Sequence, residues 1–253
     1  MSKKIQNLLI SFGLTVLMGI ILVVLTNAAP ETSLAHKILA KLGGEMPNGL
    51  IQLFTFLLFF FGLFETLRML ANVKREQRSL AMQLLPEKEN FVLGADDVAK
   101  LKLQMIELEK REPFVLIDLI KKACTKFRAN KSVSETMEML ATQCKLNLQL
   151  MESEQSMIRY VAWAIPSIGF IGTVIGIGGS LAIADRASSA AGVKEMTSIL
   201  GAAFDTTLLA LLLSIVLMFF YHELQERGEK LNAAFEGYVL DNLINRIYHR
   251  ENS

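Results

Sequence analysis

Apolar residues in this 253-residue chain gather into four blocks, at 8–26, 50–70, 160–184 and 198–221. Segments dense in Lys, Arg, Glu and Asp separate them. A bilayer core needs about 20 mostly apolar residues in helical form. Each block meets that length with few charges, whereas a buried soluble helix is usually shorter. The pattern predicts an all-α membrane protein with four transmembrane helices and long cytoplasmic helical extensions. The first block follows Lys3 and Lys4. It exceeds the about 7–15 residues of a signal-peptide core, so it is read as a retained span.

The pattern between the blocks is helical too. Block two continues from Arg68 to Leu85 and meets its first breaker at Pro86. Asp96-Asp97 opens a charged helix that ends near Pro113. Phe114, Ile117, Ile120, Cys124 and Phe127 recur at helical spacing over 114–128. Ser132 and Glu135 form a capping box for a helix running into block three, with Met137, Leu140, Cys144, Leu148 and Met151 as its apolar stripe. That stripe reads as packing against the other cytoplasmic helices, with a partner-docking surface as the alternative. Block four runs on past Tyr221, interrupted only by Gly228 and Gly237. The expected division is 1–70 for the first two spans, 71–158 for a cytoplasmic helical domain, 159–222 for a pore-lining pair, and 223–253 for a cytoplasmic C-terminal helix.

Charge orients the spans. Lys and Arg crowd the N-terminus, the 71–158 segment and the tail (Arg227, Lys230, Arg246, Arg250), whereas loops 28–48 and 185–197 hold only His36, Lys37, Lys41, Arg186 and Lys194. The positive-inside rule places both termini in the cytoplasm. A net charge of +1 implies no nucleic-acid partner. Cys124 and Cys144 read as free cytoplasmic thiols. His36, His222 and His249 lack metal-ligand spacing, and there is no triad, Walker loop or dinucleotide fingerprint. Neither a bound metal nor a cofactor is therefore expected, and an enzyme is not expected.

Polar and small positions inside the last two blocks change this picture. Gly169, Gly172, Gly176 and Gly179 recur at helical spacing, and small residues are what bring helices together in lipid. Pro166 removes a backbone donor and marks a hinge. In block four, Ala203, Thr207, Ala210 and Ser214 share one face. At 1.5 Å per residue, Thr173 and Thr207 both lie about 20 Å from the cytoplasmic ends of their helices. They either form one polar layer or each bond their own backbone. Asp205, beside Thr206, is an acid about 10 Å inside the opposite end. Neither sequence neighbour offers a counter-charge, and it reads equally as an ion relay or as a hydrogen-bonded interface residue. It lies about 200° around the helix from Thr207. Glu65 and Arg68 read as a simple i,i+3 interfacial pair.

The run Pro166-Ser-Ile-Gly169-Phe-Ile-Gly172-Thr173-Val174-Ile-Gly176 closely resembles the family of MotA, TolQ and ExbB. The next helix resembles it in Ala203, Thr207 and Ala210, and the likeness covers about residues 155–225. The resemblance implies a homopentamer in a bacterial inner membrane, enclosing two copies of a single-helix partner of the MotB, ExbD or TolR kind. An aspartate on the partner would carry the transported ion, H+ or Na+, with H+ favoured. Thr173 and Thr207 would face it, Pro166 would be the hinge, and ion flow would drive rotation. Together with the residue reading, the candidate ion-path set is Thr173, Thr207, Thr206, Asp205 and Ser214. Where ExbB-like members often carry a glutamate this chain has Ala202, with Asp205 three residues on. Four crossings resemble MotA, whereas Gly172-Thr173 is nearer to ExbB, TolQ or sodium-type flagellar stators. The alternative is a passive structural or signalling scaffold; a secondary transporter ranks last because no internal repeat is evident.

Overall fold

A computed structural model describes residues 3–30, 32–45, 49–87 and 92–247. His249 and Arg250 lie outside the described residues. Among the described residues there are seven α-helices: α1 Lys3–Ala28, α2 Leu34–Leu39, α3 Leu50–Gln77, α4 Ala95–Arg111, α5 Val115–Asn130, α6 Val133–Ala182 and α7 Ala190–Asn242. Short 3-10 or π turns adjoin α2, α3, α6 and α7. Among the described residues the only β pairing is an isolated bridge, Leu93 to Ile247. Helices α1, α3, α6 and α7 are long and apolar enough to cross a membrane, so the protein is a multi-pass, all-α membrane protein.

The chain divides into two compact units, Met1–Arg68 with Ser156–Glu223, and Met69–Gln155 with Leu224–Ser253. In the first unit, Phe59, Val161, Ala162, Ile165, Ala210 and Leu217 form the core. Gly62 admits Leu217 and Val161 against α3; a Cβ there would lie 2.8 Å from Leu217 Cδ2. The buried face of α1 is Ser11, Thr15, Leu22 and Thr26, mostly small residues, with Gly19 set against Leu53. The first two spans are thus a fitted pair, with Asn7 Nδ2 donating to Glu65 Oε1 at 2.8 Å. Glu65 is buried and also pairs with Arg68 at 2.6 Å, which makes it more than an interfacial i,i+3 contact. Large apolar side chains such as Phe12, Val24, Trp163, Phe170, Leu212 and Phe219 face outward. A bilayer or another subunit accommodates them; water would not.

The second unit is built around α5, which buries Leu116, Ile117, Leu119, Ile120, Cys124 and Phe127. Phe114 is the N-cap of α5 and packs against the edge of this core. Leu140 and Cys144 of α6 join it, but Met137 is exposed. Thr136 is buried in its place, because its hydroxyl is satisfied by Ser132 O at 2.8 Å. The Ser132 cap forms, with Glu135 N donating to its Oγ at 3.2 Å, while the Glu135 carboxylate is engaged by Lys126 and Asn130. Burial pushes the Cys124 thiol up to about 12 and the Cys144 thiol up to about 11.

Three boundaries differ from the sequence expectation. Helix α3 stops at Gln77 and tightens into a 3-10 turn, then leaves it at Gln83 with φ 48°, ahead of Pro86. Residues 34–44, expected as loop, form α2 and a π turn ended by Gly43 at φ 104°. Helix α7 runs through Gly228 and Gly237 without a break. At Gly228 a Cβ would meet Met151 Cε, the movable end of a flexible side chain.

Candidate ion path

Helices α6 and α7 are antiparallel neighbours, and glycine sets their separation. A Cβ on Gly169 would lie 2.5 Å from Ala210 Cβ and 3.1 Å from Thr207 Cα. One on Gly172 would lie 2.5 Å from Thr206 Oγ1, and one on Gly176 would collide with Ala203 Cβ. The glycines therefore meet backbone and first side-chain atoms, not flexible side-chain ends. Gly179 is different: a Cβ there would sit 3.6 Å from Ile199 Cγ2, an ordinary contact, so it does not enforce the approach.

Backbones this close let hydroxyls of one helix reach carbonyls of the other. Thr173 Oγ1 reaches Ala203 O at 3.0 Å, and Thr207 Oγ1 reaches Gly169 O at 2.7 Å. The two hydroxyls also hydrogen-bond to each other. Thr206, buried, donates to Ala203 O at 2.7 Å and lies 3.3 Å from Gly169 O. A threonine hydroxyl carries one hydrogen. Two arrangements satisfy the pair: Thr173 donates to Thr207, which donates to Gly169 O, or Thr207 donates to Thr173, which donates to Ala203 O. Thr173 is buried and Thr207 half-buried.

Two turns toward the other end of α7, the same helix pair meets Pro166. Proline cannot donate to the carbonyl four residues back, which is that of Ala162. Ser214 Oγ donates to Ala162 O at 3.2 Å. The hydroxyl from α7 thus occupies an acceptor that the proline leaves open in α6. Past the threonines in the opposite direction, Ser180 Oγ donates to Met196 O at 3.2 Å, another crossing bond.

Asp205 is not brought to the threonine layer. Its Oδ1 accepts from Lys41 Nζ at 2.9 Å, and its side chain is 19% exposed. The counter-charge missing from its sequence neighbours comes from the π turn between the first two spans. Sequence patterning had no signal for Lys41, which sits 164 positions away. Among the described residues no group of three His, Cys, Asp or Glu side chains is placed to hold a metal ion.

These features define a polytopic helical membrane protein whose last two spans share a hydroxyl-lined seam. Residues 112–237, about half of the chain, match the MotA/TolQ/ExbB proton channel family, and through that region the chain belongs to it. The match takes in α5, α6 and most of α7, and extends beyond the motif-bearing spans into the second unit. No curated protein and no solved structure matches the chain. The family is one of channels and motors, not of enzymes.

Proposed function

We propose that the chain is the channel subunit of an ion-driven, energy-transducing motor in a bacterial inner membrane. Five copies surround two copies of a single-span partner of the MotB, ExbD or TolR kind. An aspartate on that partner carries a proton past Thr173 and Thr207, and ion flow turns the pentamer about the partner pair. Both termini and residues 71–158 face the cytoplasm, in keeping with their share of Lys and Arg. Residues 159–222 form the pore-lining part.

The observation that carries this reading is the crossed hydroxyl layer of Thr173 and Thr207 at one level of two closely packed spans. Such a pair bears no fixed charge. Either hydroxyl can donate to a carboxylate or accept from a carboxylic acid while its neighbour turns to a carbonyl. A passing ion carrier therefore meets a partner in both of its protonation states and is not trapped in one. Two helices wall only one side of a path, which is why copies and a partner supplying the acid are needed. Membership of a proton channel family supports the same reading. Pro166, whose open acceptor is met by Ser214, supplies a place where α6 can flex.

The test is proton uptake by vesicles holding the full chain together with whatever single-span protein copurifies with it, followed with an enclosed pH dye. Thr207→Val is expected to lower uptake at least about tenfold, a floor set below the about 10²–10⁴-fold that a positioned proton-transfer group itself contributes. Unchanged flux sinks the pathway, and a purified assembly without a single-span partner sinks the motor. Flux that follows a sodium gradient instead of a pH gradient changes the ion and keeps the path.

A further inference from the structure

A cavity of about 250 Å³ lies in the first unit, at the loop end of the spans, between α2 with its π turn, the start of α3, and α7. Its walls include His36, Lys41, Glu45, Gln52, Gly201 and Asp205. Gln52 is 4% exposed, and among the described residues its Oε1 has no hydrogen-bond partner. A buried amide oxygen without a donor costs about 1–3 kcal/mol, which a donor or a cation brought to it would relieve.

The remaining capacity of the walls is mostly oxygen. Lys41 Nζ is already committed to Asp205. His36 is engaged on both nitrogens, with Nδ1 3.0 Å from Thr26 O and Nε2 3.6 Å from Glu45 Oε1. Lys37 also lines the cavity, at its solvent-exposed rim. The Asp205 and Glu45 carboxylates therefore leave acceptor capacity on the cavity, with the unpaired Gln52 oxygen buried in its wall, which is the chemistry that receives a hard cation. An anion would have to displace Lys41 from its carboxylate and face both acids.

We propose that this cavity is a hydrated loading site for a monovalent cation, in which the Lys41 ammonium holds Asp205 until a cation takes its place. The proposal rests on the ion-path reading above for what the cation does next. It accounts for an acid near a span end that does not reach the threonine layer.

Gly201 lines the cavity, and a Cβ there meets nothing within 4 Å. Gly201→Cys therefore places a thiol in the cavity without crowding the fold. The native Cys124 and Cys144 are buried, with thiols held well above neutral pH, so their background labelling is low. The full-length variant in lipid nanodiscs is reacted with a trimethylammonium-ethyl and a sulfonato-ethyl methanethiosulfonate, each rate divided by that with a small free thiol. The cationic reagent is expected to be favoured about tenfold. Gln52→Leu and Glu45→Gln should lower this preference, and Lys41→Gln should raise it.

No labelling, a ratio of one or less, or a ratio indifferent to both Gln52→Leu and Glu45→Gln overturns the loading site. At fixed ionic strength, slowing of the cationic reagent by sodium relative to N-methylglucamine identifies sodium as the occupant. Slowing only on acidification, read in the ratio of the two reagents, identifies hydronium; slowing by neither overturns the proposal. Thr207→Val separates the two readings. Labelling that holds while flux is untouched by Thr207→Val rejects the threonine path alone, and the converse rejects the loading site alone.

Discussion

The pair α1 and α3 and the pair α6 and α7 are both membrane helices with buried hydroxyls, yet they use them in opposite ways. In the first pair every buried hydroxyl turns back on its own helix. Ser11, Thr15, Thr26, Thr55 and Thr66 each donate to the carbonyl four residues earlier, at 2.7–2.8 Å. In the second pair Thr173, Thr207, Ser214 and Ser180 reach across to the other backbone, and only Thr206 bonds chiefly to its own helix, at Ala203 O. Glycine placement separates the two cases. Gly19 of α1 meets the end of a leucine side chain, whereas Gly169 and Gly176 of α6 meet Cα atoms of α7 at 3.1 Å. Only backbones that close put a carbonyl of one helix within reach of a short side chain on the other. The first pair is therefore a self-contained wall, and the second a seam whose hydrogen bonds can be exchanged.

The largest expected effect tests the close approach itself. Gly176→Leu forces a side chain into Ala203 and should cost about 3 kcal/mol, the upper range of overpacking, or prevent folding altogether. Gly13→Leu is the matching change in α1. A Cβ there meets nothing within 4 Å, so it should cost nothing and gain a little from helix propensity. Thermal unfolding of the two variants in the same detergent checks this. Equal losses would mean that glycine spacing does not distinguish the helix pairs.

A smaller effect isolates one crossing bond. Ser214→Ala leaves the Ala162 carbonyl without its donor and should cost about 1 kcal/mol. In a Pro166→Ala background the helix regains an N–H for that carbonyl, and Ser214→Ala should then cost almost nothing. The coupling in this double-mutant cycle should be about 1 kcal/mol. A cost that is the same in both backgrounds would show that Ser214 does not serve the acceptor left by the proline.

What could be read in the sequence follows the range of the interactions. The spans were legible because a bilayer demands apolar length, and that property is local. The threonine layer was legible because helical rise converts sequence distance into depth, so two antiparallel helices could be compared before either was packed. The family motif lay on the same helices. Lys41 was not legible, because an ion pair spanning 164 positions follows no periodicity. Nor was the π turn that presents it, whose end depends on Gly43 at φ 104°. Pro166 announces which carbonyl loses its donor, but only packing shows that Ser214 replaces it. Position 136 shows the opposite failure. Hydrophobicity favours Met137 for the core, and the structure buries Thr136 because its hydroxyl is already satisfied within its own helix. The Ser11-Thr15-Gly19 stripe of α1 has regular spacing of four, a packing signal weaker than the glycine run of α6.

The smallest expected effect probes the self-contained wall. Thr55 is buried, and its hydroxyl donates to Ile51 O at 2.8 Å. That carbonyl already receives the helical N–H of position 55, so the hydroxyl bond is a second one and no acceptor is left unpaired without it. Valine has nearly the same shape and removes both the hydroxyl and its need for a partner. Thr55→Val should therefore change stability by no more than about 0.5 kcal/mol and leave ion flux unaltered. Measured beside Thr207→Val in the same vesicles, it sets the scale for a membrane threonine that serves only its own helix. If Thr55→Val lowered flux as Thr207→Val is expected to do, loss of any buried hydroxyl would be damaging. The crossing geometry of α6 and α7 would then have no claim to a special role.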